Sequence, residues 1–314
     1  MTAVDVHQHL WPEEVLRVLE SRATAPRALW RNGRWQVRPA AEPSFTIDPA
    51  DHDPEERALA LPGAGVDRAL LCLSSPVGIE TLPGPAALAG TTAWREAAAT
   101  LPAALGWWAA MPLRFPPSEQ AQIVHEALAA GAVGLCLPAG VLSSPSSAEV
   151  SLPLLGALAA AGAPLFVHPG PATGGPQDPD WWSPTTSYVA QLHAAWFAFH
   201  AVVRPALANL RVIFALLAGL APLHAERAAL RGAPDLQRTA LEDPLCFYDT
   251  SSYGPRAVRA LVGVVGTGPL VHGTDYPVAS PAGDPVAQAL GQPTADLVRR
   301  DGAARALGYA WAPA

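Results

Sequence analysis

The sequence contains no lysine, and all twenty basic residues are arginine. That absence excludes Schiff-base chemistry, pyridoxal phosphate attachment, a P-loop lysine and a carbamylated lysine bridging two metal ions. Charged residues are only 15% of the chain, the net charge is −7, and there is no basic run or basic stripe interleaved with aromatics. Nucleic acid is therefore not an expected partner, and a small molecule is. No apolar run of roughly eighteen residues free of proline and charge occurs, and the N-terminus has no basic segment leading into an apolar core. No membrane association is expected, and the expected location is the cytoplasm. The three cysteines, Cys72, Cys136 and Cys246, lie in separate apolar runs without a Cys-x-x-Cys pair, as reduced core residues do.

What is abundant is apolar material, 50% of 314 residues, enough for one large core and for a single domain over 1–314. Short β-branched or apolar runs alternate with Ala/Leu-rich helical segments. Eight such runs, at residues 3–9, 68–74, 104–111, 132–137, 164–168, 210–216, 245–250 and 269–275, predict a closed (β/α)8 TIM barrel with its chemistry at the C-terminal strand ends. An open doubly wound sheet would more often show a glycine-rich turn after the first strand, whereas here the strand runs into His9-Leu10-Trp11-Pro12. Helices are expected over 12–21, 91–101, 118–130 with Ser118 as cap, and 187–203.

Between the first two strands, Asn32-Gly33 sits between matching Trp/Arg flanks and predicts a type I′ hairpin. The insertion at 12–62 belongs to the face that carries the chemistry, either as a cover for the mouth or as a surface flap or oligomer contact. A long Pro/Gly-rich loop at 169–186 carries Trp181 and Trp182, which would stack on a planar substrate or pack at the rim or a homodimer contact.

Asp5-Val6-His7-Gln8-His9 places two imidazoles on one face of a strand, separated by about 6.6 Å of rise. His168 ends the fifth run and Asp275 stands at the end of the eighth. Three imidazoles and a carboxylate converging on one end of a barrel suit zinc, manganese or iron, with positions left open. The fourth run ends without a carboxylate, so one ion is expected. Arg57 and Arg114 are candidates for binding a substrate carboxylate, and Trp182 and Tyr253 for further substrate contacts. His272, an odd number of residues from Asp275, is expected to be structural.

Asp5-Val6-His7-Gln8-His9, Gly131 to Leu135, Phe166-Val167-His168-Pro169, Leu210 to Ala215 and Gly273-Thr274-Asp275-Tyr276-Pro277 resemble, in order, the motifs of the amidohydrolase-related family. The resemblance is to the branch of aminocarboxymuconate semialdehyde decarboxylase and related aromatic-acid decarboxylases and hydrolases. It implies a barrel in which His7, His9, His168 and Asp275 hold one divalent metal, usually zinc, with manganese as the alternative. The expected activity is hydrolysis of a small carboxylated or aromatic substrate through a metal-activated water, with Asp275 as proton acceptor. Non-oxidative decarboxylation of an aromatic or unsaturated acid is the alternative. One departure stands out: Leu216 occupies the place of the family's catalytic histidine after the sixth strand. Either the metal and Asp275 suffice, or another group such as His224 replaces the imidazole, or the barrel binds without turning over.

Overall fold

The computed structural model describes residues 2–172, 175, 177–279 and 283–308. Thr173, Gly174 and Pro176 of the long loop lie outside the described residues. The strands in chain order are β1 (Val4–His9), β2 (Arg27–Arg31), β3 (Arg34–Arg38), β4 (Phe45–Ile47), β5 (Arg68–Cys72), β6 (Leu105–Ala109), β7 (Gly134–Pro138), β8 (Leu165–His168), β9 (Val212–Phe214), β10 (Cys246–Asp249) and β11 (Leu270–Val271). All eight expected barrel strands form, and they pair in parallel in the order β1-β5-β6-β7-β8-β9-β10-β11. The ends join where the Val6 N–H donates to the His272 carbonyl (2.9 Å) and the His9 N–H to the Tyr276 carbonyl (2.7 Å).

The strands read as continuous apolar runs because each is covered on both faces, by the lumen and by the helical layer. In the lumen, Trp108 stacks on Phe166 at 5.2 Å and Phe166 meets His7 edge-on at 5.0 Å. The Trp108 indole donates to the Val6 carbonyl (3.0 Å). Outside, Phe214 packs against Phe199 of the helical layer. The helix Ser187–Ala198 continues as a π turn through Phe199–Val203.

The hairpin forms as expected. Asn32 (φ 52) and Gly33 (φ 79) both take the left-handed conformation that a type I′ turn requires. Trp30 pairs with Trp35 across it at 5.2 Å. A third antiparallel strand, β4, adds to β3 and was not anticipated, because three residues between polar and proline-containing stretches give no readable alternation. Ser118 is not a helix cap. The helix spans Pro117–Ala129, and Pro117, whose φ is preset, opens it without a side-chain cap.

His52 of the insertion is buried, and its Nδ1 accepts the Trp11 backbone N–H (3.2 Å), which requires the neutral ring. Burial, reinforced by the nearby Arg57 cation, lowers its pKa from 6.5 to about 4. The unfolded chain therefore binds this proton first on acidification. Stability should fall as pH drops through the window from 6.5 to about 4, by about 3 kcal/mol from this group. Urea denaturation of the wild type and His52→Asn across that range checks it, since the variant should lose this part of the pH slope.

Candidate metal centre

β1 does not run regularly: its register with β5 shifts between Asp5 and Gln8. The irregularity turns the Asp5 carboxylate into the seam between the first and last barrel strands. There it accepts from the His7 N–H (3.0 Å), Gln8 Nε2 (2.8 Å), Thr274 N–H (3.1 Å) and Thr274 Oγ1 (2.6 Å). Asp5 thus fixes both the segment that carries His7 and the segment that leads into Asp275.

His7, His9 and His168 pack edge to face, with ring centroids 5.0–5.1 Å apart. One ligand atom from each, together with a carboxylate oxygen of Asp275, falls within 4.8 Å of the others, and all four residues are buried. The Nδ1 atoms are engaged elsewhere. His7 Nδ1 lies 2.6 Å from Asp249 Oδ2, His9 Nδ1 3.2 Å from the Cys72 carbonyl and His168 Nδ1 2.7 Å from the Pro169 carbonyl. Each of these partners accepts, so each Nδ1 carries the proton and each Nε2 presents a lone pair. His7 Nε2 and His9 Nε2 are 3.2 Å apart, and Asp275 Oδ1 stands 3.5 Å and 3.0 Å from them. Lone pairs and a carboxylate gathered this closely repel unless a positive charge sits among them. Imidazoles whose second nitrogen is held by a carboxylate or a carbonyl are the usual arrangement at metal sites, so the residues fit a divalent cation.

The electrostatics show that the cluster draws positive charge. Burial alone would raise the Asp275 carboxyl, but His7 and His9 hold it down at about 2. Burial and the neighbouring His7 and His9 push His168 well below its ordinary value, which keeps it neutral and able to donate its lone pair. His7 moves the other way: burial opposes its protonation, yet Asp249 and Asp275 together raise it. The second oxygen of Asp275 accepts the Ser252 hydroxyl (2.9 Å).

No family model and no curated protein matches the sequence. Solved structures match it over nearly the whole length. The IDCase of Metarhizium anisopliae is 19% identical with a TM-score of 0.72, covering 98% of this chain and 97% of its own. An amidohydrolase II structure is 18% identical with a TM-score of 0.73, covering 98% and 99%. A mutant 5-carboxyvanillate decarboxylase of Novosphingobium aromaticivorans, with bound manganese and 3-methoxy-4-hydroxy-5-nitrobenzoic acid, is 16% identical with a TM-score of 0.72, covering 98% and 97%. The chain shares the barrel fold of these structures.

Within that fold, the four residues read from the sequence come together and the other candidates divide. Arg57 is buried, but its guanidinium is engaged: Nη1 donates to Gln8 Oε1 and the His9 carbonyl (both 3.1 Å), Nη2 to the Asp51 carbonyl (2.6 Å), and the group lies over the Tyr276 ring. Its observed role is to brace the end of β1. Arg114 is exposed beyond β6. Trp182 is half exposed and packs against Trp181 at 5.7 Å. Tyr253, half-buried, borders a cavity of about 500 Å³ with Ser252, Thr274 and Tyr276 on the outer side of the strand seam. His224 is exposed with its ring 4.9 Å from His193, and it is not one of the four clustered donors.

Leu216 stands just beyond β9, buried, at the start of a left-handed run in which Leu216, Leu217, Ala218, Gly219 and Leu220 have φ from 49 to 61. Non-glycine residues pay roughly 1–2 kcal/mol each for this conformation. Packing holds it: a Cβ on Gly219 would stand 2.7 Å from the Val189 carbonyl, so the helix Ser187–Ala198 presses on the turn.

Sequence reasoning missed Asp249, which is fully buried at the end of β10 and accepts from His7 Nδ1, the Ser251 N–H (2.8 Å) and Ser251 Oγ (2.7 Å). The signal was present, since an unpaired acid closing an apolar strand, Cys-Phe-Tyr-Asp, requires a buried partner. A second donor group, His200, Asp243 and Cys246, lies at the starting end of β10. There Asp243 is already paired with Arg204 (2.7 Å), and that face of a barrel serves stability.

Proposed function

We propose that this protein is a divalent-metal-dependent, non-oxidative decarboxylase of a small aromatic or unsaturated acid. The observation that carries the reading is the converging set of three Nε2 lone pairs and the Asp275 carboxylate at the strand ends. The relatives favour decarboxylation over the hydrolysis expected from the sequence, since several are named as decarboxylases of aromatic acids, among them 2,6-dihydroxybenzoate decarboxylase. His7, His9, His168 and Asp275 would hold the ion, manganese or zinc. That ion would supply Lewis acidity, binding anionic oxygen of the substrate and stabilising the charge that develops as carbon dioxide leaves.

The remaining work falls to the chain. Asp249 and the Cys72 and Pro169 carbonyls keep each imidazole in the tautomer that points Nε2 inward. In the reaction, the bond from the ring or enamine carbon to the carboxyl breaks and carbon dioxide departs. The electron pair left on that carbon takes up a proton. Held as a carboxylate, with one oxygen facing the imidazoles and the other bound by Ser252, Asp275 is the group we assign to relay that proton from a water molecule to the carbon, returning to the carboxylate afterwards. Trp108 and Phe166 close the lumen beneath the cluster.

The test is metal analysis and turnover together. Protein purified and loaded with Mn²⁺ or Zn²⁺ should release carbon dioxide from at least one member of a panel of hydroxybenzoates and unsaturated acids. Lactone and amide hydrolysis without decarboxylation would reverse the reading. Leu216→His supplies a second result. If the leucine impairs an otherwise intact mechanism, turnover should rise by about 10²-fold or more. A fall would show that Leu216 serves the reaction as it stands.

A further inference from the structure

In an eight-stranded barrel the first and fifth strands face each other across the lumen, four places apart by either route round the sheet. Here these are β1 and β8. Contact between the insertion after β1 and the loop after β8 therefore spans the mouth above His7, His9 and His168. Glu42, between β3 and β4, makes that contact: Oε1 accepts the Ala172 backbone N–H (3.1 Å) and Oε2 accepts the Tyr188 hydroxyl (2.5 Å). Ala172 lies four residues past His168, and Tyr188 is in the first turn of the helix Ser187–Ala198. The same helix grips the loop through Gln191, whose Oε1 accepts the Gly170 N–H (2.6 Å) and whose Nε2 donates to the Pro171 carbonyl (2.8 Å). Glu42 thus ends on a braced platform rather than on a free loop.

We propose that Glu42 and Tyr188 are positioning residues that latch the insertion across the barrel mouth and thereby set the access of a small acid to His9, His168 and Asp275. The arrangement serves poorly as packing alone. Burial raises the Glu42 carboxyl above its ordinary value, a cost that an apolar side chain at the same place would avoid. Burial also pushes the Tyr188 phenol up, with Glu42 and then Asp275 adding to it, so the hydroxyl lies within electrostatic reach of the donor cluster. An entering carboxylate offers the Ala172 N–H and the Tyr188 hydroxyl the same kind of acceptor that Glu42 provides. Exchange of one acid for the other opens the latch without leaving either donor unsatisfied. The latch itself follows from the fold and the geometry; only the choice of an acid as the entering molecule rests on the function proposed above.

The experiment is histidine labelling with diethylpyrocarbonate on the full chain after dialysis against a chelator, read site by site by peptide mass spectrometry. Exposed His125 is the internal standard. Glu42→Ala should label His9 and His168 roughly tenfold faster than wild type relative to His125, the consequence of losing two hydrogen bonds to a charged acceptor. Tyr188→Phe, which keeps the ring and removes one bond, should give a smaller rise of about threefold, with an unchanged melting temperature. Labelling unchanged in both variants overturns the proposal, and so does an equal rise at His125, which would mean general loosening. Absence of turnover on every acid would defeat the proposed function and leave this labelling result intact.

Discussion

Replacing His168 with alanine should reduce a chain loaded to about one divalent ion to one that retains none through gel filtration. The affinity loss should exceed about 100-fold, because even an outer partner of a ligating histidine is worth 10–100-fold. His168 brings its lone pair from β8, across the lumen from His7 and His9, so its removal leaves only β1 and Asp275 to hold the ion. Turnover should fall with occupancy and not recover at saturating substrate. Isothermal titration with Mn²⁺ and Zn²⁺, with His125→Ala as the control, measures it. Full stoichiometry at unchanged affinity in His168→Ala would remove the site from the protein's chemistry.

Gly273→Ala should be nearly as damaging, although glycine 273 ligates nothing. A Cβ there would fall on the Asp249 carboxylate, 2.6 Å from its carboxyl carbon and 2.9 Å from His7 Cβ. Asp249 has no easy retreat, being held by His7 Nδ1, the Ser251 N–H and Ser251 Oγ. The methyl must therefore part the His7–Asp249 pair or move the strand. We expect metal affinity to fall by roughly 10–100-fold and stability by about 1–3 kcal/mol from overpacking. Gly263→Ala makes the contrast. It lies in the helix Pro255–Val265 with nothing near its added Cβ, and should stabilise by up to about 1 kcal/mol. Metal titration and urea denaturation on both variants separate the two effects. Equal behaviour of the two would mean that the close approach at Gly273 is not what orients His7.

Much of the architecture was legible because barrel strands covered on both faces must be apolar, and the eight runs stood out against the helical segments between them. The convergence of the four candidate donors was legible because histidine and aspartate at the ends of such runs are placed at one end of the barrel, where the structure brings them together. The short strand β4 carried no such pattern. Leu216 shows the opposite limit. Its place after the sixth strand could be read, but five successive left-handed residues, only one of them glycine, could not, because packing from Val189 and its helix imposes a conformation that local preference opposes.

The sequence by itself determined that eight parallel strands form, that lysine chemistry is excluded, and that β1, β8 and the segment after β11 each deliver a donor to the same end. Only the tertiary structure decided which nitrogen of each imidazole faces the centre. That choice depends on acceptors such as Asp249, which is 242 residues from His7 along the chain and meets it only because the sheet closes. It likewise decided that Glu42 reaches Tyr188 across the mouth, 146 residues away. Alternation along a strand fixes which face a side chain takes. What it meets there is fixed by which strands become neighbours or opposites in the closed barrel.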